Sequence, residues 1–425
     1  MTAPFPGPAL PPGPIAYLTG EYPRATDTFV WREAQALRAL GADVRACTIR
    51  RTDAAHIVGE EQTREQASAF HVQETAKSPA RLLGAHAALL KRNARRWLSA
   101  VKLAVKTCPP GAKEGLWQLF YFLQAGVLAR KLVDDGIVHL HNHFGNSSCT
   151  VAMLAAEMAG IPFSYTMHGP AIFFEPIKWR IDEKIARAAF VACISRFCRA
   201  QGMIFANPRH WEKMRIVHCG VDPAMYDAPP GGAGGKRAIF VGRLAAIKGV
   251  RVLLEAFAAL RAAHPDATLT LVGDGTERAG LEAEAARLGL SEAVAFAGYR
   301  SQAEVADLLK TSDVFVLPSF AEGVPVVLME AMAAGLPVIG PLVAGVPELV
   351  EDGISGFTVF PGDPAQLTDR LDRLFSDAAA RTAMGAAGRA KVAAEFDAAA
   401  EAGWLLTLIA GAARGAPPTG LRPGA

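Results

Sequence analysis

Glu322 and Glu330 stand eight positions apart in the run LPSFAEGVPVVLMEAMAAGLPV, Leu317 to Val338. The pattern predicts an apolar strand over Val314–Leu317, a turn at Glu322-Gly323 and a helix with Glu330 near its middle. The first amides of a helix have no partner within it and can hold phosphate oxygens. At about 1.5 Å per helical residue, eight steps separate the two carboxylates by roughly 12 Å. That is close to the length of a nucleotide-sugar, so one acid can meet a sugar and the other a ribose. A capped helix with a surface glutamate fits the same two residues.

Further chemistry-bearing residues change that balance. In AIFVGRLAAIKGV a strand ends at Gly242, followed by Arg243 and, five residues on, Lys248. Cations just past a strand end are placed to neutralise a diphosphate, arginine as a planar fork and lysine as a point charge. The chain has no Asp-x-Asp pair to seat a divalent metal, so Arg243 and Lys248 are expected to stabilise a leaving diphosphate themselves. Gly273 and Gly275 fit the first two places of a dinucleotide G-x-G-x-x-G motif, but Arg278 fills the third, which argues against a nicotinamide or flavin cofactor. His139, His141 and His143 alternate along a predicted strand and share one face. Three ligands in sequence on one strand rarely close a zinc tetrahedron, so no metal is expected. His143 at the strand end, and His168 before Gly169-Pro170, are read as facing a cleft; a core histidine is the plainer alternative for each.

The elements that must position these residues alternate between strand and helix, the signature of parallel α/β sheets. Predicted strands are Ile15–Thr19, Val44–Ile49, Ile137–His141, Phe163–Met167, Phe190–Ile194 and Arg215–His218, with a helix from about Phe29 to Leu40. After the glycine- and proline-rich stretch at 227–235, a linker by composition, a second series follows: Ala238–Val241, Thr268–Val272, Val294–Phe296, Val314–Leu317 and Pro337–Ile339. The expected layout is a disordered leader (1–14), a first Rossmann-like domain (15–226), the linker, a second Rossmann-like domain (236–395), a closing helix (396–412) and a frayed tail (413–425). In open α/β sheets ligands bind beyond the carboxyl ends of strands, so the cleft between the domains is the natural site.

Charge is uneven. Met1 to Tyr226 carries 27 Lys+Arg against 18 Asp+Glu, while the remainder carries 17 against 23. Lys77 to Lys113 holds nine basic residues and no acid, with Leu, Val and Trp97 between them. One or two amphipathic helices are expected there, either simply solvated or docked on an anionic membrane; no nucleic-acid motif accompanies the charge. Six scattered cysteines imply neither a disulfide framework nor a zinc site. The proline-rich start lacks the features of a signal peptide, and no apolar run reaches transmembrane length. A cytoplasmic location is expected, peripheral on the inner face of the cytoplasmic membrane if the basic segment docks.

Glu322-Gly323-Val324-Pro325 through Glu330, together with Gly242-Arg243 and Lys248-Gly249, resembles the Glu-x7-Glu motif and basic clamp of retaining glycosyltransferases of family 4, which have the two-domain GT-B fold. HNHFGNSSCTVAMLAAEMAGIPFSYTMHGPAIFF and EYPRATDTFVWREAQALRALG are similar to the exopolysaccharide subgroup with colanic-acid-type enzymes, and the likeness runs from Ile15 to about Leu406. The resemblance implies roles. Arg243 and Lys248 would bind the donor diphosphate and Glu330 the ribose. Glu322 and the backbone of Gly323, Val324, Pro325 and Val326 would bind the donor sugar. His168 would sit by the reacting centre, and Gly20, in the first strand–helix loop, would pass close to the phosphates. Leu18-Thr19-Gly20-Glu21 departs from the pattern in having one glycine, as does Asp27 before Thr28-Phe29. The last helix would cross back onto the first domain. The implied reaction moves a sugar from a UDP- or GDP-linked donor to a glycan or polyprenyl-diphosphate-linked acceptor without a cofactor, with anomeric configuration kept. A sugar-nucleotide epimerase of similar shape and a non-catalytic nucleotide-sugar-binding subunit are the alternatives.

Overall fold

Most strands are short apolar runs buried on both faces, the pattern of a parallel sheet covered by helices on each side. The computed structural model describes residues 9–24, 27–57, 59–169, 171–226 and 235–416. The strands form two all-parallel sheets in two compact units, one made of residues up to His218 plus those from Ala398, the other of Cys219–Asp397.

The first unit holds β1 (Ile15–Glu21), β2 (Val44–Arg50), β3 (Phe70–His71), β4 (His139–His143), β5 (Phe163–Met167), β6 (Val191–Cys193) and β7 (Met214–Ile216), in the order β3-β2-β1-β4-β5-β6-β7. The chain runs from β1 to one edge, then returns to the far side of β1 with β4, so the topological switch lies between β1 and β4. β4 begins two residues later than the apolar Ile137-Val138 pair suggests. Its HLHNH side chains are all buried, their polar atoms satisfied largely by hydrogen bonds to β5 and the following turn. The helix Thr28–Ala39 packs Val30, Ala34 and Leu37 inward. Tyr17, Phe190, Leu405, Leu408 and Ile409 belong to the same core.

Those last three residues lie on the helix Ala398–Ala413. Buried Glu401 accepts the His218 backbone N–H at 3.0 Å, and the Trp404 indole N–H donates to the Ile216 carbonyl at 3.1 Å. The first unit ends earlier than residue 226, because Val221 pairs with Asp397 and donates to the Phe396 carbonyl at 3.0 Å. Most of the predicted linker (227–234) and parts of the predicted leader (1–8) and tail (417–425) fall outside the described residues. The basic segment forms two helices, Pro79–Arg92 and Ala94–Thr107, and a third, Ala112–Asp134, begins at its end. Asn93 separates the first two; its side chain accepts the Arg96 N–H at 3.1 Å, a cap worth about 1 kcal/mol that restarts the helix at once.

The second unit holds β8 (Arg237–Val241), β9 (Thr268–Val272), β10 (Val294–Gly298), β11 (Val314–Val316), β12 (Val338–Pro341) and β13 (Gly356–Val359), ordered β10-β9-β8-β11-β12-β13. The switch here lies between β8 and β11. β3 and β13 are absent from the sequence reading: β3 is two residues long, and the GFTV of β13 has little room for alternation.

Candidate functional site

Beyond β8 the chain is held closely by its neighbours. The Gly242 N–H donates to the Val272 carbonyl at 2.9 Å and Leu244 N–H to the Asp274 carbonyl at 2.9 Å. Gly273 has φ +129°, and a Cβ there would stand 2.0 Å from the Gly242 carbonyl oxygen. The glycine of GDG is therefore spent on a close approach of two loops. A short 3-10 turn, Ala246–Lys248, then ends at Gly249 with φ +64°. A Cβ on Gly249 would meet the Pro318 carbonyl at 2.2 Å, and the Phe320 N–H donates to the Ile247 carbonyl at 2.8 Å. This clamp brings the segment after β8 against the segment after β11.

Its result is an ion pair. The Lys248 ammonium donates to Glu322 Oε1 at 2.6 Å, with the lysine side chain 20% exposed and the glutamate 9%. A pair so shielded must be hydrogen-bonded to offset the loss of water. Arg243 is exposed, and no ion pair or hydrogen bond engages its guanidinium among the described residues. Gly323 follows Glu322 and accepts the Gly345 N–H at 3.1 Å. The helix itself begins only at Val326 and runs to Ala333, with Pro325 at its N-cap and no side chain capping it. Val324 and Pro325 are buried, and Val326 is half-buried. Glu330 is its fifth residue and is buried. The estimate of roughly 12 Å needs correction, because the rise of about 1.5 Å per residue applies only within the helix and Glu322 lies before it.

The first unit supplies a different arrangement at its own switch point. Gly20 is not in a loop: β1 continues through Glu21, and Gly20 keeps an ordinary negative φ while its carbonyl accepts the Thr48 hydroxyl at 3.3 Å. His143 presents no surface to an acceptor, since it is fully buried. His168 directly follows β5, is 7% exposed, and its Nε2 lies 3.1 Å from His143 Nδ1. Phe29 and Phe144 flank the His168 ring at 4.8 and 4.7 Å between centroids. His139 Nε2 and His141 Nδ1 share the Ser164 hydroxyl at 2.7 and 2.8 Å, and His141 Nε2 meets the Thr166 hydroxyl at 2.9 Å. Burial pushes His139 down to about 3. It also holds His141 and His168 well below the ordinary histidine range, with the neighbouring His143 acting in the same direction.

Two groups escape the sequence reading. Glu33 lies 3.2 Å from His143 Nε2 and accepts the Tyr17 hydroxyl. Its signal is an acid placed four residues from Phe29 and from buried Leu37, on an apolar helix stripe. Lys184 is fully buried and donates to the Gly145 and Asn146 carbonyls at 2.8 Å each, holding the turn after β4. Its helix, Ile181–Arg187, also buries Ile181, one turn before it on the same face. Glu33, His141 and His143 have donor atoms within 4.8 Å of one another, a spacing a metal ion could use. Both His141 nitrogens already meet hydroxyls, however, and Glu33 already holds Tyr17.

Residues 231–391 match the family described as Glycosyl transferases group 1, and residues 26–225 match Glycosyltransferase Family 4. A D-inositol 3-phosphate glycosyltransferase of Frankia alni is 32% identical over 286 residues, covering 59% of this chain and 69% of that protein. The chain belongs to the group 1/family 4 glycosyltransferases. Among other members of the family, AmsK of Erwinia amylovora, an amylovoran biosynthesis glycosyltransferase, is 34% identical over 194 residues, 44% of this chain and 48% of that protein. A D-inositol 3-phosphate glycosyltransferase of Streptomyces scabiei is 33% identical over 258 residues, 53% and 57% of the two chains. The chain thus spans about half the length of several curated relatives it matches. Its fold is similar to that of Alr3699/HepE of Anabaena, solved in complex with UDP, with TM-score 0.70, 19% identity, and 92% and 98% of the two chains covered. The two Rossmann-like α/β units of this chain are those of GT-B structures.

Proposed function

We propose that this family 4 chain transfers a sugar from a nucleoside-diphosphate sugar to a hydroxyl acceptor, with the donor held by the second unit. The observation that carries the reading is the Lys248–Glu322 pair at 2.6 Å, set between the ends of β8 and β11 at the topological switch. Crevices at that point of a doubly wound sheet are where ligands bind. Exposed Arg243 and Lys248 supply charge for the diphosphate. The amides at the start of Val326–Ala333 add donors to the same end, and Glu330 and Glu322 serve ribose and sugar hydroxyls. An arriving diphosphate competes with Glu322 for Lys248 and frees that carboxylate to accept from the sugar. His168 contacts the sugar near the reacting carbon.

In the retaining course, the departing diphosphate takes the proton of the incoming hydroxyl on the same face. The protein's task is then to position the partners and to stabilise charge. Arg243 and Lys248 meet that need without a resident metal. HepE was also solved with UDP-glucose, so UDP-sugars come first in a donor screen, followed by GDP-sugars. A donor that binds only the folded state raises the unfolding midpoint. With the donor found, Lys248→Ala and Glu330→Ala should each lower turnover at least about tenfold, and the product anomer read by NMR should keep the donor's configuration. Wild-type turnover by both variants would remove the assignment. Conversion of the donor with no acceptor present would favour an epimerase.

The acceptor we infer is a polyprenyl-diphosphate-linked glycan met at the inner face of the cytoplasmic membrane, in polysaccharide biosynthesis. The basic helices support this. Lys91 and Arg92 on the first helix and Arg95 and Arg96 on the second are all exposed, as are the apolar Leu98 and Val105 on the second and Trp117 and Phe120 on the third. No helix among the described residues is long and apolar enough to cross a membrane, so docking would be peripheral, at about 1 kcal/mol per basic residue near the surface. Co-sedimentation with anionic vesicles should fall sharply when the four cations are neutralised. Equal sedimentation of the two proteins would refute docking.

A further inference from the structure

We infer that Glu33 and His143 are positioning residues that hold His168 as a neutral imidazole with its proton on Nε2 and its lone pair at Nδ1. The inference rests on the reading of His168 as a sugar contact, and names what fixes its protonation state.

The chain of contacts runs inward from the helix Thr28–Ala39. Glu33 accepts the Tyr17 hydroxyl, and its Oε1 lies 3.2 Å from His143 Nε2. That approach is off the line of a straight hydrogen bond, and His143 Nε2 has no other polar partner among the described residues. A bare ring lone pair facing a carboxylate at that distance, away from water, would be repelled. The arrangement therefore favours the proton on His143 Nε2. A neutral imidazole then has a lone pair at Nδ1. Since His143 Nδ1 lies 3.1 Å from His168 Nε2, that contact is a hydrogen bond only if His168 Nε2 carries its proton. The carboxylate thus sets a tautomer two rings away.

The groups around the pair are aromatic apart from Glu33. Facing the pair are Tyr17 from β1, Glu33 and Phe29 from the helix, His141 from β4 and Phe144 from the turn after it. His141 is itself fully engaged by Ser164 and Thr166 of β5. Burial holds His168 neutral, and the two phenylalanine rings fix its plane. A neutral acceptor nitrogen suits a sugar hydroxyl, which must donate; an imidazolium would offer a donor in its place.

The test is a long-range proton–nitrogen correlation spectrum of the full chain labelled with 15N-histidine, at pH 7, assigned through His143→Gln and His168→Gln. The expected result is His168 protonated at Nε2 in the wild type and a mixture of tautomers in Glu33→Gln. With the donor identified, Glu33→Gln should lower kcat about tenfold or more while donor KM stays within about twofold, and Tyr17→Phe should fall between it and wild type. His168 protonated at Nδ1 in the wild type overturns the inference, as does a Glu33→Gln spectrum identical to wild type. So does a shift of the His141 and His143 nitrogens by stoichiometric zinc, which would make the cluster a metal site. If Glu33→Gln does not fold, the wild-type spectrum decides alone. If no donor is turned over, the spectrum still decides, so the failure of the transfer reading is separable from the failure of this one.

Discussion

The two units have the same doubly wound topology and treat their polar residues in opposite ways. At the β1/β4 switch of the first, His139, His141 and His143 are enclosed and bonded mostly to one another's neighbours. At the β8/β11 switch of the second, the polar groups are one shielded ion pair and an exposed arginine, carried on loops locked by glycines. An enclosed network has its protonation set by the protein and is sensitive to pH. An open cation keeps its charge and is tuned by loop shape instead.

Acid should break the symmetry most strongly. Burial keeps His139, His141 and His168 neutral when folded, whereas each takes up a proton on unfolding once pH is below about 6.5. Their contribution is complete above that value and is lost as pH falls below it, in the case of His139 over the range down to about 3. Going from pH 6.5 to pH 5 costs about 2 kcal/mol for His139 alone, and His141 and His168 act in the same direction, against a whole stability of about 5–15 kcal/mol for a typical domain. The second unit has a single histidine, His264. Hydrogen exchange at pH 5 should therefore show β4 and β5 opening while β8 and β9 stay protected. Parallel loss in both units would break the comparison.

A backbone change should do the reverse. Gly249→Ala combines a left-handed φ with a Cβ placed 2.2 Å from the Pro318 carbonyl, and about 3 kcal/mol of destabilisation is expected. It should appear in the second unit's thermal transition and leave the first unit's in place. The smallest effect sharpens the contrast between enclosed and open polar groups. The Ser319 hydroxyl in the second unit and the Tyr165 hydroxyl in the first are buried without a partner among the described residues. Ser319→Ala and Tyr165→Phe should each be neutral or raise stability by up to about 1 kcal/mol, measured by denaturant midpoint. A clear loss from either would reveal a partner.

Much of this was legible in the chain. Phe163–Met167 and Thr268–Val272 appear as drawn, because each is a short run of β-favouring residues, closed by His168-Gly169 in one case and by Gly273 in the other. Lys248 and Glu322 meet although 74 residues separate them, since both follow strands that are neighbours in the sheet. What escaped depends on burial that sequence alone does not show. β4 is polar by composition and interior by hydrogen bonding. Glu33 looks like an ordinary helix acid until its stripe is seen to face the core. The placement of Gly20 failed because β1 runs two residues further than its apolar part, and a helical rise does not apply over all eight steps between the two glutamates because the helix begins only after Pro325.

The helix Ala398–Ala413 carries one more consequence. During translation the seven strands of the first unit are made before any of Cys219–Asp397, yet Leu405, Leu408 and Ile409 of their core arrive last. The nascent amino-terminal half must wait with an uncovered apolar face, a period in which a chaperone has something to hold. The six strands of the second unit, by contrast, follow one another in the chain without interruption by the first unit.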